Sequence, residues 1–176
     1  GDDINGRDVA YAGTLGSSVL KLFDLTLAAT GNTSASLEAR GIPYKSICAH
    51  RANHASYYPG SSMITMKILY SPGDGKILGA QAVGREGTEK RIDVIATAMS
   101  LGAKVTDLAS LELCYAPPYS SAKDPVNVLG YIAENLEAGF YDMVQVREID
   151  EKIAAGGFLL DVRTPVEFSA GRIKGA

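Results

Sequence analysis

An α+β fold with a largely antiparallel sheet is what the order of periodicities along this chain predicts. Strand patterns and a hairpin signal fill the first half, helical patterns follow, and a fresh strand–helix alternation starts near residue 142. Strands grouped before helices favour an antiparallel sheet, whereas alternation favours a small α/β unit. Two units are therefore expected, residues 1–141 and residues 142–176.

The elements follow in order. Gly13–Ser18 (GTLGSS) reads as a turn into a strand, and Phe23-Asp24-Leu25-Thr26-Leu27 alternates apolar and polar, the mark of a half-buried strand. GNTSASLEARG offers Asn and Thr caps, a short helical body and Gly41 as its stop. YKSICAHR is a further strand, followed by a loop around ANHASYYPGSS. From Ser62 to Val83 the sequence spells a hairpin: MITMKILY, the turn SPGDG, then KILGAQAV. TEKRIDVIATAMSLG predicts a helix with Ile92, Ile95, Ala96 and Met99 on one face, ended by Gly102. KVTDLASLE predicts a short helix capped by Thr106. DPVNVLGYIAENLEAG predicts a longer one, with Asp124 as cap, Pro125 in the first turn, and Val128, Ile132 and Leu136 four apart.

Beyond residue 142, MVQVREIDEKIAAGGFLLDVRTPVEF reads as strand, helix, strand and the start of a helix. About 35 residues cannot bury a self-sufficient core. GDDING at the start reads as the end of a preceding element, so the chain is expected to be an internal piece of a larger protein.

Of the 176 residues, 46% are hydrophobic and 21% charged, enough for a packed domain, and the net charge of −3 includes no basic tract. Nothing favours nucleic acid or an anionic membrane as partner, and no apolar run is long enough to span a bilayer. Cys48 and Cys114 are too few for a disulfide framework, which makes a reducing cytoplasm the expected setting.

Chemistry is sparse. No G-x-G-x-x-G follows a strand, and GTLGSS lacks a Walker lysine. His50 and His54 stand four apart without the glutamate of H-E-x-x-H, so they read as polar loop residues and no metal is expected. Cys48 and Cys114 each follow an apolar residue and read as small packed hydrophobes. Lys123 and Arg91 are candidate phosphate contacts, though surface cations are the norm.

The tyrosines are the better case. In LCYAPPYSSAKDPVNVLGY the double proline stiffens the segment that holds Tyr115 and Tyr119, and Tyr57-Tyr58-Pro59-Gly60 repeats the device on another loop. A phenol can donate to a thiolate or a developing anion without carrying charge, but a tyrosine can also simply pack its ring. The residues alone leave both readings open.

Taken together, YYPG, KILGAQAVG, EKRIDVIATAM and CYAPPYSSAKDPVNVLGY resemble the C-terminal dimerisation domain of coenzyme A-disulfide reductases, over most of Gly6–Gly139. These are flavin-dependent pyridine nucleotide-disulfide oxidoreductases, alongside NADH oxidases and persulfide reductases. GFLLDVRTPVEFSAGRIKGA resembles the opening of a rhodanese domain, with Arg172 where histidine is usual and Lys174 where proline is common.

The resemblance implies an antiparallel sheet with helices on one side, a homodimer, and FAD and NAD(P)H bound by domains outside this chain. It implies a CoA-linked disulfide, persulfide or polysulfide as substrate. Tyr57 and Tyr115 match the tyrosines credited with reaching across the dimer to the partner's active site. Tyr58, Tyr119 and, more weakly, Lys123 are implied as substrate-binding neighbours. The family's redox cysteine matches neither Cys48 nor Cys114, so this chain alone is expected to be inactive. Two other readings stand: part of an NADH oxidase that reduces oxygen, and a purely structural dimerisation module.

Overall fold

The computed structural model describes residues 11 and 13–176, so the reading of GDDING lies outside the described residues. The chain divides after Phe140 into two compact units.

The first unit is a five-stranded sheet in the order β1-β2-β5-β4-β3, with every neighbouring pair antiparallel. Its strands are β1 (Ser18–Leu22), β2 (Leu25–Gly31), β3 (Lys45–Ala52), β4 (Met63–Tyr70) and β5 (Ile77–Gly84). The SPGDG turn joins β4 to β5 as predicted, with the Ser71 N–H bonded to the Lys76 carbonyl at 2.9 Å and Gly75 at φ 73°. The first strand pair differs from expectation. Phe23 and Asp24 are not strand but the two-residue connection between Leu22 and its partner Leu25, with Phe23 at φ 51°. The chain must reverse after β1, and that overrides the alternation at Phe23.

Strand register builds the core. Ile47 lies opposite Ile68, Met66 opposite both Ala49 and Ala82, and Ala82 opposite Ala28, all on one buried face. Burying a side chain such as Ile47 or Ile68 stabilises the fold by roughly 1.5–3 kcal/mol. Short helix α1 (Ser34–Ala39) follows β2, and its Thr33 cap accepts the Ser36 N–H at 3.1 Å. Helix α2 (Thr88–Ser100) packs on β2 and β5, and α3 (Pro125–Glu137) on β3.

Three local expectations are corrected. On α2 the buried residues are Thr88, Arg91, Ile92, Ile95 and Ala98, with Ala96 and Met99 only half-buried. On α3 the buried stripe is Val126, Leu129, Gly130 and Ala133, while Val128, Ile132 and Leu136 flank it half-buried. A Cβ on Gly130 would meet the Ala109 backbone N at 2.2 Å. That close approach turns the glycine side of α3 inward. KVTDLASLE forms a 3₁₀ turn, Val105–Ser110, begun at Lys104 and not capped by Thr106. The Asp107 carboxylate accepts the Lys104 N–H at 2.8 Å.

The second unit holds a 3₁₀ turn (Val146–Glu148), α4 (Ile149–Ala154) and α5 (Pro165–Ala170). Its two expected strands do not form; among the described residues of this unit no segment is a β-strand. A strand exists only against a hydrogen-bonded neighbour, and neither segment has one. Phe158 and Val162 are accordingly exposed, at 87% and 86%. Within LLDVR, Arg163 Nη2 donates to Asp161 Oδ2 at 2.6 Å, and this pair holds the Asp161 carboxyl down at about 2. The Thr164 hydroxyl caps α5.

Candidate functional site

Two loops carry the tyrosines. The first, residues 53–62, joins β3 to β4 and is pinned at both ends by one residue: the Asn53 N–H donates to the Ser62 carbonyl, and Asn53 Oδ1 accepts the Ser62 N–H, each at 2.9 Å. The second, residues 111–124, runs from the 3₁₀ turn into α3. Its Pro117-Pro118 pair sits inside a turn closed by the Tyr119 and Ser120 N–H groups, which donate to the Ala116 carbonyl at 2.9 and 3.1 Å. The Ala55 N–H donates to the Ser120 carbonyl at 3.0 Å and joins the two loops.

This union brings Tyr57 and Tyr115 together, 58 residues apart in sequence, with their hydroxyl oxygens 3.4 Å apart. Both rings stand in the open, Tyr57 76% and Tyr115 50% exposed. The Tyr57 hydroxyl holds the Tyr115 phenol above its ordinary value, with slight desolvation adding to it. Tyr115 therefore keeps its proton across the neutral range and is a neutral phenol there.

The other predicted residues have separate partners. The ring of Tyr58 meets buried His54 edge-on, with centroids 5.8 Å apart. Tyr119 is exposed at the tip of the proline turn. Lys123 Nζ donates to the Tyr131 hydroxyl at 2.6 Å, a contact with α3.

Readings of five lone residues change. Arg91 is no surface phosphate contact: it is one of the largest fully buried side chains among the described residues, ion-paired to Asp124 at 2.9 Å. His54 is buried, and His50 lies on β3, bonded through Nδ1 to Thr65 at 2.9 Å. Cys48 and Cys114 are exposed, the former because it alternates outward on β3 opposite Lys67. No cluster of three potential metal ligands occurs among the described residues, and no helix among them is long and apolar enough to cross a membrane.

The buried network around Arg91 was not read from the sequence. Its Nε and Nη2 donate to the two Asp124 oxygens at 3.4 and 2.9 Å, its Nη2 to the Asn53 carbonyl at 2.5 Å, and its Nη1 to the Gly87 carbonyl at 2.8 Å. Ser120 Oγ donates to Asp124 Oδ2 at 2.5 Å. One signal was available: a charged residue directly beside Ile92 on an otherwise apolar helix face. As for a dinucleotide, Gly13–Ser18 runs into β1 and so offers a pyrophosphate no helix N-terminus.

Relatives agree with this architecture. The coenzyme A disulfide reductase of Staphylococcus aureus (strain JH9) is 40% identical over 134 residues, 76% of this chain and 30% of that protein. The chain thus spans about a third of the length of the curated relatives it matches. Among solved structures, the reduced Bacillus anthracis CoADR-RHD superimposes with a TM-score of 0.95 at 51% identity, covering 99% of this chain and 31% of that one. A NAD-dependent persulfide reductase from A. fulgidus gives 0.77 at 35%, covering 82% and 27%. The water-forming NADH oxidase from Lactobacillus brevis, 22% identical with a TM-score of 0.71 over 76% and 30%, shares the fold. Residues 17–125 match the pyridine nucleotide-disulphide oxidoreductase dimerisation domain. With most of its length inside that match, this chain belongs to the pyridine nucleotide-disulphide oxidoreductase dimerisation-domain family.

Proposed function

We propose that this chain is the dimerising and active-site-completing part of an NAD(P)H-dependent flavoprotein that reduces CoA disulfide or a CoA persulfide or polysulfide. The single observation that carries the reading is the exposed Tyr57–Tyr115 hydroxyl pair, presented from two tied loops. In the proposal the pair enters the active site of the partner in a homodimer, with Tyr58, Tyr119 and Lys123 flanking the substrate. Residues 1–141 form the dimerisation domain, residues 142–176 begin a fused rhodanese-like unit, and the protein works in the cytoplasm.

The reaction balances as NAD(P)H plus one proton plus CoA disulfide giving NAD(P)⁺ and two CoA thiols. A flavin, bound by domains outside this chain, supplies the electron pair that breaks the sulfur–sulfur bond. The contribution of this chain is a donor. Tyr115, kept protonated by its neighbour, offers its O–H to sulfur as negative charge develops there. A neutral donor suits a site that must release an anionic thiolate, because a fixed cation would hold it.

The test uses the full-length flavoprotein, with the isolated chain as blank. NADH oxidation is compared for CoA disulfide, CoA persulfide and oxygen, in wild type and Tyr115→Phe. We expect the variant to lose about 10²- to 10³-fold with the sulfur substrates, the range for removal of one transition-state donor, with the oxygen rate unchanged and no turnover by the isolated chain. Equal sulfur rates in both proteins would reduce the domain to a structural dimerisation module. Oxygen as the fastest acceptor would make the parent an oxidase.

A further inference from the structure

We propose that the buried Arg91–Asp124 ion pair is the device that holds the two tyrosine loops in register, which makes Arg91 a positioning residue for the reaction. The inference rests on the reading of Tyr57 and Tyr115 as site residues.

The argument is geometric. Both tyrosines sit on irregular segments, whose conformation no ladder or helix fixes. Each loop, however, has one foot on the same guanidinium. Arg91 donates to the Asn53 carbonyl, where the first loop leaves β3, and to the Asp124 carboxylate, where the second loop enters α3. Asn53 also closes its own loop through Ser62, and Asp124 also accepts from Ser120, whose carbonyl takes the Ala55 N–H. The chain of contacts from Tyr57 to Tyr115 thus returns to one planar cation.

Its own helix fixes that cation too, through the Gly87 carbonyl. Gly87 stands at φ 70°, and a Cβ there would lie 2.3 Å from Arg91 Nη1, so the glycine leaves room for the fork. Arg91 and Asp124 are 1% and 2% exposed. A buried ion pair is a poor device for stability alone, since apolar residues of like volume often do as well, but its directional bonds can specify one arrangement. Here the bonds reach the feet of both site loops. A lysine at position 91 would keep the charge and lose the fork, since an ammonium cannot span both feet and the Gly87 carbonyl in one plane.

The experiment is a double-mutant cycle in the full-length flavoprotein dimer. Arg91→Lys, Ser120→Ala, Tyr115→Phe and the combinations with Tyr115→Phe are assayed with CoA disulfide. NADH–ferricyanide turnover and flavin content serve as readouts that bypass the tyrosines. Misplacement of about 1 Å costs on the order of 10²-fold, so Arg91→Lys should lower kcat by about 10- to 100-fold. KM should change less, ferricyanide turnover and flavin content should hold, and Ser120→Ala should show a smaller loss.

The decisive expectation is non-additivity: adding Arg91→Lys to Tyr115→Phe should cost little further. A slow Tyr115→Phe beside a normal Arg91→Lys, or losses that multiply, would overturn the positioning role and leave the site reading intact. Tyr115→Phe at the wild-type rate would overturn the site reading and the positioning role with it. Should Arg91→Lys fail to fold, the same cycle with Ser120→Ala decides, and multiplying losses there would overturn the inference.

Discussion

The Lys45 ammonium and the Glu137 carboxylate meet at 2.8 Å although 92 residues separate them, tying the start of β3 to the end of α3. The hydroxyl of buried Tyr70 donates to the same carboxylate oxygen at 2.9 Å. The lysine contact, then the tyrosine bond, hold the Glu137 carboxyl below its usual range. A carboxyl depressed in the folded state contributes stability that is present above its unfolded value, near 4.5, and lost as pH falls through the folded value. Both ends of the pair are nearly half exposed, so solvent limits the contribution to a few tenths of a kcal/mol. Glu137→Gln should therefore match wild type at acid pH and fall slightly below it at neutral pH. Urea midpoints at pH 3 and pH 7 check this, and an equal offset at both would refute it.

Gly130 tests the packing of α3. Alanine in an exposed helix interior stabilises by about 1 kcal/mol relative to glycine. Here a methyl would press on the backbone of residues 108–109, which cannot move aside as a side chain tip can. Overpacking of this kind costs typically 1–3 kcal/mol, so Gly130→Ala should lower stability on balance, by up to about 2 kcal/mol. A raised unfolding midpoint would show that the 3₁₀ turn yields.

The tyrosine pair can be observed without turnover. Removing the Tyr57 hydroxyl takes away the main cause that raises the Tyr115 phenol. In Tyr57→Phe the Tyr115 titration should move back down toward the ordinary phenol value, read as the ultraviolet difference between Tyr57→Phe and Tyr57→Phe/Tyr115→Phe. An unmoved titration would mean the two hydroxyls do not communicate in solution.

Much of this was legible before any coordinates, and the reason is locality. The SPGDG turn, the Thr33 and Asp124 caps and the strand-forming runs of β3 to β5 are written within a few residues of where they act. The tyrosine loops announced themselves through proline. What stayed hidden depends on partners far along the chain. Arg91 reads as a surface cation until Asp124 and Asn53, 33 and 38 residues away, close around it. The four-residue repeat of Val128, Ile132 and Leu136 pointed to the wrong stripe, because a close approach at Gly130 chose the face. In the second unit strand-like composition met no partner strand, and composition alone does not make a ladder.

The first hairpin has a consequence for anyone handling this piece in isolation. Among the described residues β1 is an edge strand, and Val19, Leu20, Leu22, Phe23 and Leu25 are exposed on or beside it. Lys21 is the only charge on that strand. An open row of amide groups flanked by uncovered aliphatic side chains is a template for strand addition between copies, and a single lysine is a thin guard against it. The Phe23–Asp24 reversal that displaced the expected strand thus sits beside a surface open to self-association, so a concentration series should accompany any stability measurement on it.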